Sequence, residues 1–172
     1  DNDPTTPSIY ATGTDSQVKV KADRLTMKGE LQADNNGIID ITAGMNSQVI
    51  GAAKLGDNTG AINMVFDKAS VWKLSDSSKL SYLKMTNSTL DFSSWKPIVS
   101  ALDSGSSEVY RSLRTRIWAG NNNTLKMKID LGKEDMPNVF TDQFIIAADA
   151  TGSHIVDINI CLLYTSPSPR DY

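Results

Sequence analysis

Apolar residues along this chain fall into short runs in which every second position is apolar and the positions between are polar. In Gln17-Val18-Lys19-Val20-Lys21-Ala22, Val18, Val20 and Ala22 share one face while Gln17, Lys19 and Lys21 share the other. The same alternation returns at Leu25–Leu31, Ile39–Ile41, Ile62–Met64, Leu125–Leu131 and Val156–Ile160. Each run predicts a strand with one face buried and one wet. Between them, Asn35-Asn36-Gly37, Asp57-Asn58-Thr59-Gly60, Gly120-Asn121-Asn122-Asn123 and Thr151-Gly152 supply residues that tolerate positive φ, and so predict turns. In Ser106–Ile117, Val109, Leu113 and Ile117 fit a helical spacing as well as alternate inward positions of a strand. Its strand neighbours favour the strand, with Pro97–Gly105 before it as an irregular connection.

Short strands with regular turns are compatible with a sandwich, a barrel or a solenoid. Sliding the chain by 23 residues lays Gly37-Ile38-Ile39-Asp40-Ile41 over Gly60-Ala61-Ile62-Asn63-Met64, and Ser47 over Ser70. A repeat of roughly 20–25 residues suits one rung of a parallel β-helix, whose inward side chains are buried only by stacking on neighbouring rungs. At ~4.8 Å per stacked strand, six or seven such rungs reach on the order of 30 Å.

Composition narrows the partners. Charged residues make up 22% of the chain and aromatics 7%, with a net charge of −3. That field is too weak to recruit nucleic acid or an anionic membrane. No run approaches the ~18 apolar residues of a spanning helix. The opening Asp1-Asn2-Asp3-Pro4 has neither the basic nor the apolar stretch of a signal peptide. From Cys161 the alternation stops: Cys161–Tyr172 carries two closely spaced prolines and resembles the conceptual translation of a sequencing adapter, so residues 161–172 are expected to be a non-native tail. Cys161 is the one cysteine. Without it there is no disulfide, thiolate metal site or cysteine nucleophile.

Candidate chemistry is sparse. His154 is the one histidine, and Ser153 and Asp157 stand one and three positions away, on the opposite strand face, which disfavours a Ser-His-Asp arrangement and favours a solvated strand histidine. Asp130, Glu134, Asp135, Asp142 and Asp149 match no calcium-loop spacing and read as turn acids bonded to local backbone. Arg111, Arg114 and Arg116 beside Trp118 read as a solvated strand face rather than a nucleic-acid patch. Trp72 and Trp95 read as rung-packing residues rather than sugar platforms. The glycosylation triplets Asn87-Ser88-Thr89 and Asn122-Asn123-Thr124 are what an Asn- and Thr-rich chain yields by chance. No catalytic, cofactor-binding or metal-binding residue is expected.

The stretch Ser70-Val71-Trp72-Lys73-Leu74, then Asp76–Leu80, Leu83-Lys84-Met85 and Asn87–Phe92, resembles the Trp-containing rungs near the end of pertactin-like autotransporter passengers. Tyr110–Leu113, Ala119-Gly120-Asn121, Leu125–Leu131, Thr141–Ile146 and Ala150–Val156 resemble the same family in the same order, over roughly residues 60–160. The resemblance implies a right-handed parallel β-helix of type V secretion, displayed at the surface of a Gram-negative bacterium by a C-terminal outer-membrane β-barrel that this chain lacks. It divides the chain into β-helix rungs at 1–104, with 1–15 an incomplete or disordered rung, and terminal rungs at 105–160 resembling an autochaperone region. The function so implied is a non-catalytic stalk that supports folding and display and mediates adhesion to host or neighbouring cells. The alternatives are a polysaccharide-acting β-helix enzyme, marked by Asp130, Asp142 and an arginine converging in a groove, and the stalk of a protease passenger.

Overall fold

Period-2 runs punctuated by positive-φ turns give coils of strand, and the computed structural model describes such coils for residues 7–92, 110–130 and 140–161. The first coil holds β1 (Ile9–Thr12), β2 (Gln17–Ala22) and β3 (Thr26–Lys28). The second holds β4 (Leu31–Asp34), β5 (Ile38–Ala43) and β6 (Gln48–Gly51), and the third β7 (Ala53–Leu55), β8 (Ala61–Asp67) and β9 (Val71–Leu74). Then come β10 (Ser78–Thr86) with β11 (Thr89–Asp91), and β12 (Ser112–Asn121) with β13 (Asn123–Asp130). The last coil holds β14 (Phe140–Thr141), β15 (Gln143–Ala150) and β16 (His154–Cys161). No helix occurs among the described residues.

Strands stack on the equivalent strand of the next coil, not on their chain neighbour. One sheet runs β2-β5-β8-β10-β12-β15, a second β3-β6-β9-β11-β13 with β16 beyond β13, and a short third β1-β4-β7. Every described pairing is parallel except that of β13 with β14. This is an all-β parallel β-helix, the class the repeat predicts. Ile39 pairs with Ile62, Asp40 with Asn63 and Ile41 with Met64, the register obtained by sliding the sequence on itself.

Inward positions form continuous apolar columns. Val20, Ile41, Met64, Leu83, Trp118 and Ala150 follow one another through the first sheet. Met27, Val49, Trp72, Leu90, Leu125 and Val156 do so through the second. Ile39, Ile62, Met64, Phe66, Leu83 and Leu90 are wholly buried. Burying one such side chain stabilises by about 1.5–3 kcal/mol. Phe66 and Trp72 stack with ring centroids 5.9 Å apart and planes 9° apart, filling the corner between the sheets.

Two local expectations change. Leu25–Leu31 is not one strand: Gly29, at φ 128, turns the chain between β3 and β4. The alternation of β12 slips between Thr115 and Ile117, where the register with β15 shifts, so Trp118 rather than Ile117 points inward. Residues Ile9–Thr12, inside the stretch read as an incomplete rung, form β1, paired in parallel with β4. The boundary at 104/105, the connection at 97–105 and the tail from 162 lie outside the described residues, whereas Cys161 closes β16, paired with Asp130.

Candidate functional site

The densest polar arrangement lies inside the coil, at the turn between the first and second sheets. There a residue at positive φ is followed by an inward residue and, two positions on, by a core residue of the second sheet. Asn46-Ser47-Gln48-Val49, Asn87-Ser88-Thr89-Leu90 and Asn122-Asn123-Thr124-Leu125 share this pattern, with φ of 55°, 49° and 56° at the leading asparagines. Ala69-Ser70-Val71-Trp72 repeats it at φ 65°. The left-handed turn is tight enough to aim the next side chain at the backbone of the adjacent coil.

A ladder results. Ser47 Oγ accepts from the Leu25 N–H at 3.0 Å, and Ser70 Oγ accepts from the Ser47 N–H at 3.1 Å, 23 residues on. Asn123 Oδ1 accepts from the Ser88 N–H at 3.0 Å, while Asn123 Nδ2 donates to the Met85 carbonyl at 2.7 Å. Ser47, Ser70, Ser88 and Asn123 are all buried. They satisfy backbone groups that the turn removes from the strand ladders.

His154 is the last step of this ladder, in register with Asn123. Trp118 Nε1 donates to His154 Nε2 at 2.7 Å, the two rings lie 4.6 Å apart, and Asn123 Nδ2 stands 3.3 Å from Nδ1. The reading of His154 as a solvated strand histidine is therefore corrected: the pairing turns its ring inward and it is half-buried. Its Nε2 also stands 3.3 Å from the Thr151 carbonyl, so both ring nitrogens face fixed protein partners. Ser153 and Asp157 are exposed; the Ser153 N–H donates to Asn121 Oδ1 at 3.2 Å, and Asp157 pairs in register with Lys126 on the outward face.

A second cluster joins β12 to β13. Asp142 is buried, and its carboxylate accepts from the Arg111 N–H at 2.9 Å through Oδ1 and from the Lys128 N–H at 2.7 Å through Oδ2. These partners are 31 and 14 residues away, so Asp142 is not the locally bonded turn acid expected of it. It is a clamp between coils. Arg111 likewise leaves the solvated face: it is 3% exposed, and its guanidinium donates to the Phe92 carbonyl at 2.8 Å. Burial lowers its pKa, while the negative charges of Asp142, Asp76 and Asp91 oppose that shift and favour the charged form. Two backbone amides occupy the Asp142 carboxylate, which suits structure better than acid-base exchange.

The other candidates are dispersed. Trp72 is buried and donates through Nε1 to the Gly51 carbonyl at 3.1 Å. Trp118 is buried edge-on against Phe144 at 4.9 Å. Asp149 is exposed on β15, and Asn87 and Asn122 are exposed turn residues. Trp95, Glu134, Asp135 and the side chain of Asp130 lie outside the described residues. Among the described residues no three His, Cys, Asp or Glu side chains gather to hold a metal. Arg114 and Arg116 are exposed beside Lys79 in an open groove of about 280 Å³. Lys79 is hydrogen-bonded to Asn58, and Lys54 nearby pairs with Asp76 at 2.7 Å.

Sliding the sequence at one fixed offset finds Ser47 over Ser70 and misses Ser88, Asn123 and His154. The ladder steps 35 residues from Ser88 to Asn123 and 31 from Asn123 to His154. The four-residue turn pattern, sought without a fixed period, would have found Ser88 and Asn123 but not His154, whose preceding residue Ser153 is not at positive φ. A scan against protein-family models, a search of curated proteins and a search of solved structures each return no match.

Proposed function

We propose that this chain is a non-catalytic shaft: part of a surface-displayed passenger of the autotransporter kind, whose work is to extend, to fold in order along its axis and to hold other parts of the protein away from the cell. The observation that carries this reading is the pair of axial ladders. The apolar columns and the polar turn ladder consume the distinctive side chains, Trp72, Trp118, Asn123 and His154, in contacts between neighbouring coils. Such a rod gains stability by each coil added to a stack, which suits a chain that folds as it emerges through a membrane. Residues 105–160 contribute the terminal coils in this reading and nucleate that stack. The exposed flank is available for adhesion.

Reading the intact gene tests the assignment. Codons for a series of ~10-residue alternating strands downstream of Ile160 support it, because a transmembrane barrel is written that way; any other downstream region overturns it. The folding role is tested by displaying residues 1–160 from such a barrel in a Gram-negative host. Removal of 105–160 is expected to abolish the protease-resistant surface fraction, and an unchanged resistant fraction refutes that role.

A further inference from the structure

One corner of the coil changes shape along the stack. In the first three coils the chain leaves the short third sheet and enters the first sheet through a loop, at residues 13–16, 35–37 and 56–60. In the next two coils it does not: β10 and β12 run through that corner as single strands of nine and ten residues. The start of β10 lies against β7, where Ser78 Oγ accepts from the Ala53 N–H at 3.1 Å, and its later residues pair with β8. One coil further on, Ala147 and Ala148 of β15 stand opposite the single residue Arg116, a bulge that leaves both alanines exposed. The loop at 56–60 and this bulge are the walls of a groove two coils wide, with β10 and β12 as its floor. The groove lies on the outward flank, so a coil added beyond β15 does not cover it.

The floor is cationic. Lys79 pairs in register with Arg114, and Arg116 follows two positions on along β12, on the same outward side, with the buried Thr115 between them. Neighbouring strands stand ~4.8 Å apart and alternate residues of one strand ~6.7 Å apart, so three positive side chains rise from one small patch. Among the described registers, Lys79 with Arg114 is the one pair that sets like charges side by side. Elsewhere Lys19 meets Asp40, and Lys126 lies between Asp91 and Asp157. Like charges placed directly opposite repel. The fold relieves only part of this: Lys79 is hydrogen-bonded to Asn58 and Lys54 is paired with Asp76, whereas Arg114 and Arg116 meet no carboxylate among the described residues. A second hollow of about 280 Å³ shares Leu55, Lys79 and Arg114 with the first and carries the groove past Lys54 to Ser77 and Ser112. No acidic and no aromatic side chain lines either part.

We propose that this groove binds an acidic polysaccharide, with Lys79, Arg114 and Arg116 facing its sulfate or carboxylate groups. From Ser112 to Arg116 the floor spans ~13 Å of strand, more than a single ion needs, so the ligand is a chain. A guanidinium takes such oxyanions in a bidentate fork. Asn58, Ser77, Ser81 and Ser112 carry the amide and hydroxyl groups that bond sugar hydroxyls. Single-stranded nucleic acid fits less well, because it is held by stacking on aromatic rings and the groove has none. A bound anion also screens Lys79 from Arg114, so the ligand stabilises the fold as it binds. The groove is built by the coils whatever the rod is attached to, so a failure to bind leaves the shaft reading untouched.

Calorimetric titration of the full chain with a heparin octasaccharide, in about 0.1 M salt, tests this. Wild type is expected to bind it, more weakly as salt rises, and to melt at a higher temperature in its presence. Maltooctaose, equally long and uncharged, is expected not to bind. Arg114→Ala with Arg116→Ala is expected to weaken binding at least about tenfold. Lys19→Ala with Lys21→Ala removes the same charge at the same spacing from the outward face of β2, more than a Debye length away, and is expected to change affinity less than about twofold. A wild type that does not bind overturns the proposal, including the case in which another stretch of this chain occupies the groove. So do equal losses from the two double variants, binding of maltooctaose at the same affinity, or tighter binding of an oligothymidine of equal charge. Should the arginine variant lose its β-sheet circular dichroism, Ala147→Glu on the groove wall serves instead, with at least about tenfold weaker binding expected and wild-type affinity overturning the idea.

Discussion

Asn123→Ala probes the turn ladder at the step with most bonds. The wild-type amide is wholly buried, accepts from the Ser88 N–H at 3.0 Å and donates to the Met85 carbonyl at 2.7 Å. Alanine leaves both backbone groups inside the coil without that partner. Each buried polar group so orphaned costs about 1–3 kcal/mol, which puts the loss at about 2–6 kcal/mol. With a urea m-value of about 2–3 kcal/mol/M, the unfolding midpoint falls by about 1 M or more. Asn123→Ser gives a graded control, because serine already fills the equivalent place at Ser47, Ser70 and Ser88, and one hydroxyl restores part of the bonding. The expected order of midpoints in urea titrations followed by circular dichroism is wild type, Ser, Ala. A midpoint for Asn123→Ala within about 0.2 M of wild type, corresponding to roughly 0.5 kcal/mol, would show that the turn amide does not hold the coils together.

Other perturbations test separate links. Asp142→Ala removes the carboxylate that accepts the Arg111 and Lys128 amides and stands by a buried guanidinium, so a loss of about 3–5 kcal/mol is expected in the same titration. Gly120 sits at φ 121, and a Cβ there would lie 1.6 Å from the Met85 carbonyl oxygen, so Gly120→Ala must displace backbone; Gly13, at φ 99 with its nearest atom 3.7 Å from a Cβ, tolerates alanine at a cost of about 1 kcal/mol from the turn conformation. Thermal melts of the pair should separate clearly, and equal shifts would contradict the close-approach argument. The Asp57 carboxylate is held below its usual pKa by hydrogen bonds from the Asn35 N–H first, then from the N–H and hydroxyl of Thr59. A depressed folded-state pKa contributes stability above the unfolded value near 3.8 and loses it as pH falls through the folded value. The stability difference between wild type and Asp57→Asn should therefore be present at pH 7 and shrink on acidification through that range; a difference independent of pH sinks the assignment.

Period-2 alternation was enough to read β2 to the residue and to place the cores of β5, β8, β13 and β16, because inward and outward positions in a half-buried strand differ in polarity. The turns at Asn35-Asn36, Asn58, Gly120, Asn122 and Gly152 were legible for a separate reason: each adopts positive φ, and the residue types that do so at low cost are few. What the pattern hid were polar residues facing inward. His154, Arg111 and Asp142 look like surface residues by type, and nothing in their own neighbourhoods signals burial. The partners described above lie 14 to 36 residues away, supplied by stacking that local alternation does not encode. Slippage at Thr115 and Ile117 was hidden similarly, since a bulge shifts the face of later residues without changing their composition.

The uneven steps of the ladder explain both why the repeat is faint and why the fold survives it. Ser47 to Ser70 takes 23 residues and Ser88 to Asn123 takes 35, yet both steps end in one bond from a backbone amide to an inward side chain. Lengthening a closed loop by that amount costs only about 0.4 kcal/mol in chain entropy. One buried hydrogen bond, at about 1 kcal/mol, outweighs it. Register is thus reset at the turns led by Asn46, Ala69, Asn87 and Asn122 by a positive-φ residue and the side chain after it, and the length of chain between turns is free to vary. A search for a fixed period weighs the part of the coil under least physical constraint, whereas a search for the turn pattern weighs the part under most.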